Sequence, residues 1–191
     1  MTGQDSPAPA PLAQRPVAVY LDALASAEPV PAAGSAAALT IAQGAALCAK
    51  VARLSAGRLP ADRAGELISR AERAAAAAAA LIDSDAAAYL DVIAATRRGE
   101  DPASALSAAS DVPMRMVELA AEVAEVAAGL TASAKPAVRG DARSAGLLAQ
   151  AGARAAATLI GVNLAGSADP RKAQAIRLLD QIARSLDNVP R

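Results

Sequence analysis

The segment LIDSDAAAYLDVI, residues 81–93, carries the side chains best suited to proton transfer. On a helical wheel of about 100° per residue, Asp85 falls in the middle of an apolar stripe, in line with Leu67. Asp83 falls near the opposite side. An ionised carboxylate among apolar side chains is costly unless it is paired. Asp85 is therefore the candidate for chemistry, and Asp83 is expected to be a solvated surface acid.

Two interpretations of Asp85 are open. It could accept an ion pair from Arg or Lys on a neighbouring helix, or it could line a cleft as a carboxyl of raised pKa that transfers protons. Tyr89, one turn later, would stand beside it or be a core tyrosine with its hydroxyl at the edge. Asn163, in the apolar run LIGVNLAG, could be a satisfied buried amide or a ligand contact.

The composition excludes several kinds of chemistry. The 191 residues include no His and one Cys, Cys48, so His-based catalysis, His or Cys-rich metal sites and internal disulfides are ruled out, and a reducing compartment is expected. Nineteen basic and nineteen acidic residues give zero net charge. Without a basic block or an aromatic platform, nucleic-acid binding has little support.

An all-α fold follows from the dominance of alanine. The apolar fraction is 54%, yet the chain holds two Tyr and no Phe or Trp. Alanine favours closely packed helices, and no segment alternates as a strand would. We expect one domain over residues 16–188, a bundle of long antiparallel helices with shorter flanking helices. Residues 1–15, rich in Pro and Ala, are expected to form a disordered tail.

The sequence gives no sign of membrane insertion or secretion. The most apolar run, residues 36–49, is too short to span a membrane, and the N-terminus lacks the pattern of a secretory signal. We therefore expect a cytoplasmic protein.

Helix boundaries follow from the breakers and caps. Ser35 is expected to be the N-cap of the second helix, after a turn containing Pro31 and Gly34, and its free N–H groups could receive a ligand. A break is expected at Pro113, and the pairs Asp101-Pro102 and Asp169-Pro170 are each expected to open a helix. The predicted helices are 17–26, 35–54, 61–98, 102–112, 114–133, 142–164 and 170–186.

The chain resembles the cyclodeaminase/cyclohydrolase family, which includes formiminotetrahydrofolate cyclodeaminases and methenyltetrahydrofolate cyclohydrolases. The stretch YLDALASAEPVPAAGSAAALTIAQGAALCAKVARLS, residues 20–55, is similar to the family's opening helix, its P-x-P-G-G-G-S turn and its long small-residue helix. The family's D-x-D-A-x-A followed by an aromatic is matched by residues 83–89. Its GN…SD turn and NV-x-x-NL segment are echoed by RGDARSAG and LIGVNL.

The resemblance implies an all-α homodimer that acts on one-carbon folates, with no metal and no cofactor beyond the folate substrate. Asp85 would be the general acid/base. The other implied site residues are Pro31, Gly34, Ser35, Arg58 as a basic stand-in, Tyr89, Asp141 and Asn163. The family's triple glycine is Ala32-Ala33-Gly34 here, Ala145 replaces the acid of the SD turn, and Leu159 replaces the first Asn of NV-x-x-NL.

Two alternatives keep the same fold. The protein could act on another small imine-like or amidine-like compound, or it could be a non-catalytic helical homodimer. The last alternative requires Asp85 to be closed off by a salt bridge, with no cleft beside it. A homodimer is expected on physical grounds too, because Ala/Gly-rich faces become stable by close packing against a large surface.

Overall fold

Proline or aspartate residues stand at the starts of several helices of this chain. The computed structural model describes residues 10–188, and within them it has seven α-helices and no strand, which confirms the all-α prediction. The helices are α1 Val17–Leu24, α2 Ala33–Ser55, α3 Ala61–Arg97, α4 Pro102–Ala109, α5 Asp111–Ser133, α6 Arg139–Asn163 and α7 Pro170–Asp187; short 3₁₀ turns cover Leu12–Gln14, Ala56–Arg58 and Pro136–Val138.

The two Asp-Pro pairs act as the sequence predicts. The side chain of Asp101 accepts a hydrogen bond from the Ala103 N–H at the start of α4. Asp169 does the same for the Arg171 N–H at the start of α7. The proline that follows each aspartate occupies the first helical position, where its missing N–H costs no hydrogen bond.

Small residues let α2 approach its neighbours at backbone distance. A Cβ added at Gly44 would lie 2.7 Å from the Ala145 carbonyl oxygen, and one added at Gly152 would lie 2.9 Å from the Ala37 carbonyl oxygen. Ala37 therefore meets Gly152 while Gly44 meets Ala145, so α2 and α6 run antiparallel. Four long helices, α2, α3, α5 and α6, enclose a core made largely of Ala, with Leu, Val and Ile.

Two of these segments are also long and apolar enough to cross a membrane, judged by length and composition over residues 10–188. They are Ala33–Arg58 and Pro136–Asn163, with 56% and 39% of their apolar windows buried against the rest of the bundle. Both are longer than the apolar run 36–49. A core helix of a globular protein passes the same test, so this is weak evidence for a membrane.

Two helix starts differ from the sequence prediction. Because α2 begins at Ala33, Ser35 is inside the first turn and is not the N-cap, which is Ala32. The break expected at Pro113 occurs earlier, at Ser110. Pro113 is the third residue of α5, in the turn whose N–H groups have no intrahelical acceptor, so the helix tolerates it.

The prediction of a solvated Asp83 was wrong. Its Oδ1 accepts a hydrogen bond from the Leu12 N–H at 2.7 Å, and its Oδ2 accepts one from the Ala13 N–H at 3.3 Å. Leu12 is buried against the core, and Leu12–Gln14 form a 3₁₀ turn, so this part of the segment expected to be disordered is ordered. Residues 1–9 of that expected tail lie outside the described residues.

Arg171 fixes α4 against the rest of the bundle. One guanidinium nitrogen donates to the Ser107 carbonyl at 2.8 Å and to Asp111 at 2.6 Å, and the other donates to the Ser107 hydroxyl at 2.8 Å and to Asp169 at 2.7 Å. The side chain is 19% exposed, so these bonds are partly shielded from water. These bonds join α4, which lines the cavity described below, to the starts of α5 and α7.

The glycine contact between α2 and α6 can be tested by stability. Gly152→Ala would place a Cβ 2.5 Å from Ile41 Cγ1, and we expect it to lower the free energy of unfolding by about 1–3 kcal/mol. Gly129→Ala, in α5 with nothing within 4 Å, is the control and should raise that free energy by about 0.5–1 kcal/mol. Urea denaturation measures both. Equal stability of the two variants would contradict the backbone-distance packing.

Candidate active site

Asp85 is held at the N-terminus of α2 by two consecutive residues. Ser35 Oγ donates to the Ile82 carbonyl at 2.9 Å and lies 3.4 Å from Asp85 Oδ2. A Cβ added at Gly34 would lie 2.5 Å from Asp85 Oδ2 and closer still to Oδ1. The Asp85 carboxylate thus contacts the backbone of Gly34. It fills the space that the side chain of any other residue at position 34 would occupy.

Burial dominates the electrostatics of this carboxylate. Removal from water raises the pKa of Asp85, and hydrogen bonds from the backbone and hydroxyl of Ser35 oppose that rise. No Arg or Lys of the described residues forms an ion pair with it. The ion-pair interpretation is therefore not supported, and Asp85 is a half-buried carboxyl without a cationic partner.

A cavity of about 260 Å³ opens beside Asp85. Five helices supply its walls, α2, α3, α4, α5 and α6, and most of the wall is apolar. The lining residues are Ala32, Ala33, Gly34, Asp85, Ala88, Tyr89, Val92, Leu106, Ala109, Pro113, Leu159, Val162 and Asn163. A cleft beside a carboxylate that lacks a salt bridge argues against the non-catalytic alternative, which requires Asp85 to be closed off.

The residues predicted for the site fall into two groups. Gly34, Tyr89 and Asn163 line the cavity with Asp85, and Ser35 lies behind the carboxylate. Pro31, buried and joined to Val30 by a cis peptide bond, belongs to the turn that leads into α2. That turn and the N-terminus of α2 form one wall of the cavity.

Arg58 and Asp141 are not brought to this cavity. Arg58 follows the C-terminal end of α2. Asp141 lies beside Lys50 of the same end, with an Oδ2 to Nζ distance of 3.9 Å. Sixteen residues of helix separate Gly34 from Lys50, which corresponds to about 24 Å at the rise of an α-helix. Any contact of these two residues with a ligand would have to be away from Asp85 of the same chain.

Tyr89 is not a core tyrosine. Its side chain is 46% exposed, at the mouth of the cavity, one turn beyond Asp85 on α3. Asn163 is half-buried at the end of α6, and none of the hydrogen bonds described for the chain involves its side-chain amide. Both polar groups therefore face the cavity with hydrogen-bonding capacity to spare.

Sequence reasoning missed the walls contributed by α4 and α5. Leu106 and Ala109 of α4 reach the cavity because α4 packs on α3 and is joined by the Arg171 bonds to α5 and α7, which are tertiary contacts with no local signal. A signal did exist on α6, where Leu159, Val162 and Asn163 are spaced i, i+3 and i+4 and so share one face. The helical spacing that singled out Asp85 would have added Leu159 and Val162 to the predicted Asn163.

The retained glycine of the Ala32-Ala33-Gly34 turn has a physical explanation. Ala32 and Ala33 line the open cavity, where a methyl group only reduces the space. Gly34 faces the carboxylate itself, where a methyl group would overlap it. The turn therefore keeps glycine at the one position where Asp85 requires it.

The rest of the described chain offers no rival chemistry. No group of three or more acidic, His or Cys side chains among residues 10–188 could hold a metal ion. Cys48 is fully buried, and burial raises the pKa of its thiol to about 12. A thiol of that pKa is protonated at neutral pH and is a poor nucleophile.

A double-mutant cycle tests the contact between Gly34 and Asp85. We expect Gly34→Ala to lower the free energy of unfolding by about 1–3 kcal/mol, because the new methyl group displaces the carboxylate. In an Asp85→Ala background the same substitution has nothing to displace and should cost much less. Urea denaturation of the four proteins measures the coupling. Equal costs in the two backgrounds would contradict the contact.

Comparison with known proteins agrees with this geometry. The crystal structure of a formiminotetrahydrofolate cyclodeaminase from Thermotoga maritima is similar over 91% of this chain and 96% of that chain, with a TM-score of 0.79 and 19% sequence identity. At that identity the likeness shows a shared fold. None of the curated proteins compared matches this chain. A family model described as formiminotransferase-cyclodeaminase matches residues 16–179. Since that match spans most of the sequence, the chain belongs to the formiminotransferase-cyclodeaminase family.

Proposed function

We propose that this protein is a folate one-carbon enzyme that closes 5-formiminotetrahydrofolate to 5,10-methenyltetrahydrofolate and releases ammonia. The observation that carries the proposal is the half-buried Asp85 carboxyl, which faces a cavity and has no cationic partner among the described residues. Membership of the family and the fold shared with a formiminotetrahydrofolate cyclodeaminase point to the same class of substrate.

The charge of the substrate suits an unpaired carboxylate. The formimino group is an amidine, which is protonated and cationic near neutral pH, and the methenyl product is a cation as well. An anionic Asp85 in a largely apolar cavity attracts such a cation more strongly than it would in water. The substrate would thus supply the positive charge that the described residues do not provide beside Asp85.

The reaction needs one proton acceptor that can later donate. N10 of the folate attacks the amidinium carbon and forms the new C–N bond. A proton then leaves N10, and the departing nitrogen gains one before its bond to carbon breaks and ammonia is released. Asp85 would take the first proton and return it to the leaving group. A carboxyl whose pKa is raised toward neutrality suits both steps, and the sequence of events needs no metal.

Hydrolysis of 5,10-methenyltetrahydrofolate is the second candidate. The cation is the same, and Asp85 would accept a proton from the attacking water. The single carboxyl of the cavity is sufficient for this reaction too, so the choice between the two depends on which substrate is turned over. Another amidine-like or imine-like cation would be favoured if the protein binds ligands at this cavity but turns over neither folate.

We also propose a cytoplasmic homodimer. The cavity volume of about 260 Å³ is below the roughly 300–1,000 Å³ of most ligand sites, and two of its lining side chains, Tyr89 and Val162, are exposed. A second copy packed near this cavity would cover both. Light scattering at tens of micromolar protein should give twice the chain mass of 18.9 kDa. A monomer at that concentration would contradict the dimer.

The role of Asp85 is tested by Asp85→Asn, which keeps the shape of the side chain but cannot accept a proton. With 5-formiminotetrahydrofolate as substrate, we expect kcat to fall by about 10²–10⁴-fold. The reaction is measured by the absorbance of methenyltetrahydrofolate and by the ammonia released. Asp83→Asn, on the opposite side of α3, is the matched control and should keep most of the activity.

The outcomes separate the reaction from the residue. Parallel assays that start from 5,10-methenyltetrahydrofolate and follow its loss decide between cyclisation and hydrolysis. No acceleration of either reaction by the unmodified protein would overturn the proposed function. Full activity of Asp85→Asn would overturn only the role assigned to that carboxyl.

A further inference from the structure

Tyr20 is buried although apolar side chains of the same helix are exposed. It is 4% exposed, whereas Val17 and Leu21 of the same helix α1 are 71% and 53% exposed. An amphipathic helix ordinarily buries its apolar residues and exposes its polar groups. Here the one fully buried side chain of α1 is the one that carries a hydroxyl.

The hydroxyl of Tyr20 has no hydrogen-bond partner among the described residues. It is the sole buried side-chain nitrogen or oxygen of residues 10–188 in this condition. A phenylalanine would occupy the same volume without a desolvated, unpaired donor. A buried polar group without a partner calls for an explanation, such as a second state in which the partner is present.

The nearby acceptor with spare capacity is Asp85. Its negative charge contributes to the raised pKa of the Tyr20 phenol, after the larger effect of burial, which shows that the two groups are electrostatically close. An ionised carboxylate has about four acceptor positions. Ser35 supplies the hydrogen bonds that lower the pKa of Asp85, and no other side chain of the described residues donates to it.

We propose that Tyr20 is a positioning residue of this site: its hydroxyl donates a hydrogen bond to the ionised Asp85 carboxylate, directly or through one bridging water. The bond supports the charged form of Asp85 from the side of α1, while Ser35 supports it from α2. Both donors flank the turn that leads into α2, so the carboxylate is held between the two ends of that turn.

The other groups around Asp85 leave Tyr20 as the distinctive partner. Tyr89 of α3 is the other titratable group at the cavity, and it is exposed at the mouth. The residues that α4, α5 and α6 contribute to the cavity carry no titratable group: Leu106, Ala109, Pro113, Leu159, Val162 and Asn163. Burial and Ser35 act on the pKa of Asp85, and the proposed Tyr20 hydrogen bond would lower that pKa further.

The inference adds a positioning residue to the site of the proposed function. Only the kinetic consequence of the Tyr20 hydrogen bond rests on that function. If Asp85 must be ionised to accept the proton from N10, loss of the Tyr20 hydrogen bond moves the acidic limb of the kcat/KM profile to higher pH. The titration of Asp85 itself needs no substrate and no turnover. A failure of the proposed function and a failure of this inference are therefore distinguishable.

The test is a titration of the Asp85 carboxyl carbon by ¹³C NMR, with the signal assigned by its loss in Asp85→Asn. In Tyr20→Phe the midpoint should rise by about one pH unit, the effect of removing one hydrogen bond to a charged group. Tyr89→Phe removes the other tyrosine hydroxyl of the chain and should leave the midpoint in place.

A second measurement strengthens the donor instead of removing it. In the Tyr89→Phe background Tyr20 is the only tyrosine, and its replacement by 3-fluorotyrosine gives a stronger donor, which should lower the midpoint. An unchanged midpoint in Tyr20→Phe, or an equal rise in Tyr89→Phe, would overturn the proposal. Tyr20 would then be a core residue whose hydroxyl only reduces stability, and Tyr20→Phe would be the more stable protein.

Discussion

The backbone of α2 lies in direct contact with its neighbours, and the rest of this structure depends on that contact. At Gly44 and Gly152 the contact joins α2 to α6, and at Gly34 it joins the start of α2 to the carboxylate of Asp85 on α3. Alanine and glycine allow this closeness because they carry little or no side chain. The same property that forms the core thus forms the site, since no larger residue at Gly34 would leave room for the carboxylate.

The chemistry of the site follows from the negative charge of Asp85, which no cation of the described residues neutralises. An acid placed among apolar walls is normally neutralised by an ion pair or by protonation, and the described part of the chain supplies no cation to Asp85. Burial instead raises the pKa of this carboxyl, while the Ser35 hydrogen bonds keep the ionised form within reach. Such a group suits a cationic substrate from which it must take, and to which it must return, a proton. The family's folate chemistry meets that description.

The sequence predicted the parts of this account that depend on helical periodicity. The 37 residues of α3 give a pattern long enough to place Asp85 among apolar side chains, and the Asp-Pro pairs fixed two helix starts. It could not predict contacts between distant segments. Asp83 bonds to Leu12, and Ser35 bonds to a carbonyl of α3, because of the way the helices pack. The role of α4, the burial of the Tyr20 hydroxyl and the distance of Arg58 and Asp141 from the cavity also depend on tertiary structure alone.

The most direct test of the central claim is a crystal structure of the protein with 5,10-methenyltetrahydrofolate bound. We expect the cationic carbon between N5 and N10 to lie in the cavity of five helices, with N10 about 3 Å from an Asp85 carboxylate oxygen, a separation that suits proton transfer. A folate bound elsewhere on the protein would contradict the account. So would an Asp85 that is paired with an arginine or lysine of a second copy and closed off from the ligand.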